Sequence, residues 1–342
     1  MSMPRESTRP PATSSSFIMN GYRYDFERPL AELEHRLQEA RKAPDREKRA
    51  ETVRTLEVQL EQLRRKVYNN LTPWQRVQLA RHPQRPYTLD YLTVLFTDFV
   101  QLHGDRLFRD DRALIGGVAS FEHRPCVVLG HQKGRDTKEN LMRNFGSAHP
   151  EGYRKALRLM QFGEKFHLPI IVFIDTPGAY PGIGAEERGQ AHSIAYNIRE
   201  MAGLRTPIYV CVIGEGGSGG ALGVGVGDWV AMLENAYYSV ISPEGCAAIL
   251  WRDRARAPDA AAALKLTSSD LLQLQIVDEV IEEPLGGAHR EPELVAQRLR
   301  SSLLRFFKLT DTLPTEQLLQ RRYERFRRLG VLSSVPSSLP PA

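Results

Sequence analysis

Apolar positions along the chain follow different periods in successive stretches. From Arg28 to about Asn69 the chain is rich in charged residues, with Leu30, Leu33 and Leu37 and then Leu56, Leu60, Leu63 and Val67 set among them. Spacings of three and four put each set on one helical face, and Pro44 with Asp45 marks a turn between them. This predicts a helical hairpin laid on its own core or on a partner. After Pro83, Pro86 and Tyr87 short β-branched runs take over: Leu114 to Ser120, Pro125 to Gly130, Pro169 to Ile174, Pro207 to Ile213, Trp229 to Leu233, Tyr237 to Ile241 and Val277 to Ile281. These read as strands, several of them buried on both faces. Between them, Ala191, Ile194, Ala195, Ile198, Met201 and Ala202 predict a helix with one core-facing stripe. Tyr153 to Phe166 carries two stripes, Ala156/Met160/Gly163 and Leu159/Phe162/Phe166, and predicts a helix covered on most sides. The alternation predicts an α/β core with helices packed on its sheet or sheets. A last polar segment, Glu291 to Gly330, holds Leu304, Phe306 and Phe307 among many arginines and reads as terminal helices.

The expected organisation is a disordered tail over 1–23, a helical region over 24–85, the α/β core over 86–290, C-terminal helices over 291–330 and a second disordered tail over 331–342. The first twenty or so residues are rich in Ser, Pro, Arg and Thr; a plain tail is the preferred reading, with an organelle transit peptide as the alternative. No apolar stretch approaches the roughly 20 residues that span a bilayer, and the start lacks the apolar segment of a secretory signal. A cytosolic-type compartment is expected. The balance of 46 Lys and Arg against 41 Asp and Glu suits anionic partners without choosing among them. Cys126, Cys211 and Cys246 are far apart, two of them inside apolar runs, and read as small core residues rather than a disulfide set or a metal site.

Two glycine-bearing turns carry the candidate chemistry. Asp175-Thr176-Pro177-Gly178-Ala179-Tyr180-Pro181-Gly182 follows the run Ile170 to Ile174, and Gly214-Glu215-Gly216-Gly217-Ser218-Gly219-Gly220 follows Ile208 to Ile213. Both are expected at strand ends, where converging backbone amides form a donor pocket for an oxygen that gains negative charge. The second turn lacks the Gly-Lys-Ser/Thr ending of a phosphate loop and the register of a dinucleotide fold, so nucleotide binding is not expected. Glycines that serve only tight turning and close packing are the competing explanation. The run after Gly220 reads as a buried helix whose first amides point outward.

Taken with Ala80 to Tyr87, Gly130 to Arg135, Ala185 to Gln190, Ile241 to Cys246 and Glu283 to Arg290, these turns resemble the carboxyltransferase alpha subunit of the multi-subunit bacterial and plastid acetyl-coenzyme A carboxylases, in order, from about Tyr24 to about Arg328. The resemblance implies an α/β crotonase-type fold, a superhelix of ββα units, between the N-terminal hairpin and the C-terminal helices. It implies a biotin-dependent carboxyltransferase that moves a carboxyl group from carboxybiotin, held on a biotin carboxyl carrier protein, to acetyl-coenzyme A, giving malonyl-coenzyme A for fatty acid synthesis. The implied partners are a zinc-ribbon beta subunit, in a heterotetramer of two alpha and two beta chains, and biotin carboxylase, which uses the ATP of the complex. The zinc-ribbon cysteines are absent from this sequence, so no metal is expected in this chain. By the same resemblance the amides of Gly219 and Gly220 are the first choice as oxyanion donors, with Gly178 and Ala179 as the opposing turn and Gly216 and Gly217 as the biotin-side loop. A side-chain base is not expected, since deprotonated biotin can serve as one.

Other polar residues are read as structural. His131, Lys133 and Arg135 are expected to form a solvated basic loop, Glu186, Glu187 and Arg188 to favour a helix start, and Glu244 to cap a first turn after Ser242-Pro243. A nucleic-acid-binding or scaffolding protein is the runner-up, weakened by sparse aromatic residues in the basic runs. A carboxylase or decarboxylase acting on a different acyl-coenzyme A is the third reading, because glycine loops report enolate chemistry better than acyl chain length.

Overall fold

The computed structural model describes residues 22–44 and 46–330. The readings made for both tails beyond those limits, and for Asp45, lie outside the described residues. The chain divides into two compact units, one ending at Leu71 and one starting at Thr72.

In the first unit, α1 (Arg28–Lys42) and α2 (Arg46–Tyr68) form the expected hairpin. Leu30, Leu33, Leu37, Leu56 and Leu60 share one buried cluster with Tyr22 and Tyr68, and Leu63 and Val67 pack at its edge. The Tyr68 hydroxyl donates to Glu27 Oε1 at 2.8 Å while Oε2 accepts the Arg23 and Tyr24 amides. The entry to α1 is thereby tied to the end of α2.

The second unit is built on one eight-stranded sheet: β1 (Thr97–Gln101), β2 (Leu114–Phe121), β3 (Arg124–His131), β4 (Ile170–Thr176), β5 (Ile208–Gly217), β6 (Trp229–Leu233), β7 (Tyr237–Ser239) and β8 (Glu279–Ile281). The order is β1-β2-β3-β4-β5-β6-β8, antiparallel up to β3 and parallel beyond, with β7 paired to the far end of β5. Helices α3 (Pro73–Ala80) and α4 (Thr88–Leu95) precede the sheet. Parallel pairing requires crossovers. α5 (Thr137–Met142) and α6 (Pro150–Lys165) supply the one from β3 to β4, and α7 (Ile183–Glu187) and α8 (Gln190–Gly203) the one from β4 to β5. The short α9 (Ser218–Leu222) follows β5; α10 (Pro243–Trp251), α11 (Ala257–Ala263) and α12 (Ser268–Gln273) lead to β8; α13 (Pro292–Thr310) and α14 (Thr315–Arg327) follow it. Every residue of β4 and β5 is buried, as their unbroken apolar runs require. All three cysteines are buried and free.

Three details depart from expectation. Strand β1 carries no apolar run: its sequence Thr-Asp-Phe-Val-Gln is largely exposed at the sheet edge. Phe166, counted in the second stripe of α6, is 51 % exposed because the helix ends at Lys165. In α8 Met201 is buried and Ile194 and Ile198 pack against the core as expected, but Ala191, Ala195 and Ala202 face solvent and Gln190, Ser193 and Asn197 are buried instead. The buried amides there have work to do: Asn197 donates to the carbonyls of Tyr153 and Gly223, and Gln190 to those of Ala148 and Tyr180. Backbone acceptors on neighbouring segments make polar side chains acceptable inside.

Candidate active site

Strands β4 and β5 run parallel in register from Ile170↔Ile208 to Ile174↔Val212, then slip, so that Thr176 pairs with Gly216. Ile213, Gly214 and Glu215 therefore stand opposite Asp175 alone. This bulge lies at the carboxyl ends of parallel strands, the usual place for a site in such sheets. It also brings Gly214 over the Asp175 carboxylate so closely that a Cβ would stand 2.4 Å from Oδ1.

Beyond the bulge the two glycine turns meet backbone to backbone. A Cβ on Gly217 would stand 2.2 Å from the Pro177 carbonyl oxygen, and one on Gly220 2.5 Å from the Ala179 nitrogen. At Gly219 the same addition would meet only the Ile194 side chain, at 3.6 Å. Packing thus explains Gly217 and Gly220 and leaves Gly219 unexplained, half-exposed on the surface of the turn beside exposed Ser218. Ser218 holds a left-handed backbone, φ 51°, a strained conformation for a residue with a Cβ. Ser218, Gly219 and Gly220 open α9, so their amides have no acceptor within that helix.

Each predicted site residue has a distinct place. Gly216 and Gly217 are buried and paired with Tyr238 and Ser239 of β7, forming the stem of the loop. Gly178 donates its amide to Thr176 Oγ1 at 3.1 Å, and its carbonyl accepts the same hydroxyl at 2.8 Å. Ala179 adjoins Gly220 in the opposing turn. That turn is anchored from α6 and the residues before it: the Tyr180 amide donates to the Ala148 carbonyl at 3.0 Å, and the Tyr180 ring stacks on His149 with centroids 4.1 Å apart. Below it, Arg188 pairs with the fully buried Glu151 at 2.6 Å. The glycine helix is held by Tyr153, whose hydroxyl donates to the Gly220 carbonyl at 3.3 Å, and by Asn197 at Gly223.

A buried charge network lies beneath both turns, and it corrects the reading of the Gly130 to Arg135 segment as a solvated loop. His131 is fully buried and Lys133 nearly so. The Lys133 ammonium donates to Asp175 Oδ1 at 2.6 Å and Glu215 Oε2 at 2.8 Å. Glu215 Oε1 accepts Arg81 Nε and the Tyr237 hydroxyl, each at 2.7 Å, and Arg81 also grips Glu244. Arg135 is the member nearest solvent; it pairs with Asp90 and lies over the Tyr87 ring. Burial opposes charge throughout. Even so, Lys133 and Arg81 hold the Glu215 carboxyl down at about 2, and the two carboxylates keep Lys133 charged. Burial pushes the Asp175 carboxyl up against the pull of Lys133, and Asp175 Oδ2 meets no donor among the described residues. A second buried pair, Arg85 with Glu283, stands close by: Arg85 Nε donates to the carbonyl of Ile213, the first residue of the bulge, at 2.7 Å.

Sequence reasoning missed this network. Its signal was a lone carboxylate at the end of each of two adjacent apolar runs, Asp175 and Glu215, which cannot be buried side by side without a cation. Beside Ser218 an apolar groove of about 210 Å³ opens between Leu222, Val226, Tyr238, Val240 and Phe326.

Residues 23–330 match the family model described as acetyl co-enzyme A carboxylase carboxyltransferase-like. The chain belongs to that family, on the alpha-subunit side. It is 57 % identical to the acetyl-coenzyme A carboxylase carboxyl transferase subunit alpha of Geobacter metallireducens, over 90 % of this chain and 98 % of the relative. It is 55 % identical to the subunit of the same name from Thermus thermophilus, over 90 % and 98 %. Among solved structures it resembles transcarboxylase 12S, with TM-score 0.55 and 16 % identity over 72 % of this chain, and it spans only 46 % of that longer chain. A Pseudomonas malonate decarboxylase hetero-tetramer matches with TM-score 0.53 and 16 % identity, over 64 % of this chain and 90 % of the other. The fold is of the crotonase type. Carboxyl transfer to acetyl-coenzyme A is the activity of the acetyl-coenzyme A carboxylase family, and an alpha subunit implies a beta partner. No helix among the described residues is long and apolar enough to cross a membrane.

Proposed function

We propose that the paired glycine turns are the carboxyl-transfer site of this alpha subunit, with the Gly219 and Gly220 amides as donors to an oxyanion and Gly178 and Ala179 as the facing turn. Gly216 and Gly217 form the stem of the biotin-side loop. The observation that carries the reading is the contrast between Gly217 and Gly220, which the opposing turn crowds, and Gly219, which stays open toward solvent at the first turn of a helix. A glycine with free space above it lets a ligand oxygen reach the backbone.

On this reading the substrates are carboxybiotin, carried by a separate biotin carrier protein and recharged by a biotin carboxylase, and acetyl-coenzyme A. As the carboxyl group leaves, negative charge grows on the biotin ureido oxygen, and preoriented amides stabilise it without reorganising. The beta subunit brings the coenzyme A side of the site and joins alpha in a two-plus-two heterotetramer. The apolar groove beside Ser218 favours a site completed by another surface. The chain is organised as a helical region over 24–85, a carboxyltransferase core over 86–290 and C-terminal helices over 291–330, and the malonyl-coenzyme A formed supplies fatty acid synthesis in the cytoplasm.

The test is malonyl-coenzyme A-dependent carboxylation of free biotin by this chain, its beta partner and the mixture. Activity in the mixture alone is expected. A well-formed complex that leaves biotin untouched overturns the acetyl-coenzyme A assignment.

A further inference from the structure

The structure assigns Lys133 a positioning role: its ammonium clamps the ends of β4 and β5 together and so sets the spacing of the two glycine turns. The inference rests on the reading of those turns as the transfer site. Three observations carry it. First, one nitrogen spans carboxylates on both strands, Asp175 at 2.6 Å and Glu215 at 2.8 Å. Second, Asp175 Oδ1, the oxygen that binds Lys133, also accepts the Glu215 amide at 2.9 Å, so the ammonium holds the bulge that launches the second turn. Third, the Lys133 stem is packed from the other side: a Cβ on Gly146 would stand 2.9 Å from Lys133 Cγ, and the Gly146 backbone is left-handed, φ 84°, to make that approach.

The alternative is a merely structural role, in which any stable filling of the space would serve. Geometry argues against it. Pro177 and Gly178 follow Asp175 within three residues, and Gly217, Ser218 and Gly219 follow Glu215 within four. A change in the Asp175 to Glu215 separation is therefore passed to both turns with little chain in between to absorb it. Misplacement of a reacting group by about 1 Å costs on the order of 10²-fold in rate. Without the ammonium, two carboxylates would face each other in a buried space with only Arg81 and Tyr237 left to hold Glu215.

The experiment uses the complete alpha–beta complex with malonyl-coenzyme A and free biotin. Lys133→Met is expected to lower kcat by roughly 10- to 100-fold while KM for malonyl-coenzyme A changes by less than about twofold, and Lys133→Arg to recover part of the rate. Hydrogen exchange of the same complexes is expected to speed up in both 175–182 and 214–222 with α13 unchanged. Should Lys133→Met fail to fold, Asp175→Asn and Glu215→Gln each break one arm of the clamp and are expected to loosen both turns. Unchanged exchange, loosening of one turn only, or a kcat loss that Lys133→Arg shares in full would overturn the role. If the wild-type complex is itself inactive, the function reading fails, and the exchange data still decide whether Lys133 spaces the turns.

Discussion

The side-chain amide of Asn197 donates to the Gly223 carbonyl at 2.9 Å, so α8 holds the far end of the five-residue helix whose near end carries Gly219 and Gly220. The same amide reaches the Tyr153 carbonyl at 3.0 Å. Asn197→Leu keeps the bulk and removes both bonds. It is expected to cost about 1–3 kcal/mol in urea unfolding, the range for leaving buried acceptors unpaired. An unfolding midpoint equal to wild type would show that the amide contributes nothing at this position.

Adjacent glycines are expected to answer differently to one methyl group. Gly220→Ala forces a Cβ into the Ala179 backbone and should destabilise the chain and separate the turns. Gly219→Ala meets only Ile194, at 3.6 Å, and should fold with a wild-type melting temperature. Its biotin carboxylation in the complex should still fall, by roughly 10²-fold if it costs one donor's worth of stabilisation. Full activity of Gly219→Ala would remove that residue from the site.

Arg85 and Glu283 are both fully enclosed, joined by a fork with one arm at 3.0 Å, and Glu283 also accepts the amides of Asn235 and Ala288. Removing one partner leaves a buried charge uncompensated, which costs about 3–5 kcal/mol. Arg85→Met should therefore unfold at much lower denaturant. The double variant Arg85→Met/Glu283→Met should regain part of the loss, and a double variant weaker than the single would contradict this account.

Burial holds His131 neutral down to about 3, outweighing the pull of Asp111 the other way. The unfolded chain takes up that proton near pH 6.5. Since the unfolded state binds more protons below that point, the contribution of neutral His131 is complete above pH 6.5 and fades as pH falls toward about 3. The urea midpoint of wild type should drop more steeply from pH 7 to pH 4 than that of His131→Gln. Parallel profiles would show that His131 does not couple to folding.

How far the sequence was legible varied with how local each cause was. Strands Ile170 to Thr176 and Ile208 to Gly217 announce themselves because both faces are buried and each opens on an unbroken apolar run, Ile170 to Ile174 and Ile208 to Ile213. Thr97 to Gln101 does not, since an exposed edge strand has no apolar face to display. Of the expected α8 stripe, Ile194, Ile198 and Met201 pack inward while its three alanines, a residue that sits as readily on a surface, do not, and Asn197 is inside because its acceptors lie 44 and 26 residues away. Lys133 looked solvated for the same reason: its carboxylates are 42 and 82 residues distant. The glycine turns were visible as composition. Which of their glycines are crowded and which is open depends on how the two turns meet, and that is a property of the fold.

The slip between β4 and β5 bears on how such a chain can vary in length. Ile213, Gly214 and Glu215 span the gap between two pairings, Ile174 with Val212 and Thr176 with Gly216. One residue more or fewer would turn Glu215 to the opposite face of its strand and carry its carboxylate away from Lys133. Peripheral loops can absorb insertions and deletions, but here the number of peptide units decides whether the clamp forms at all.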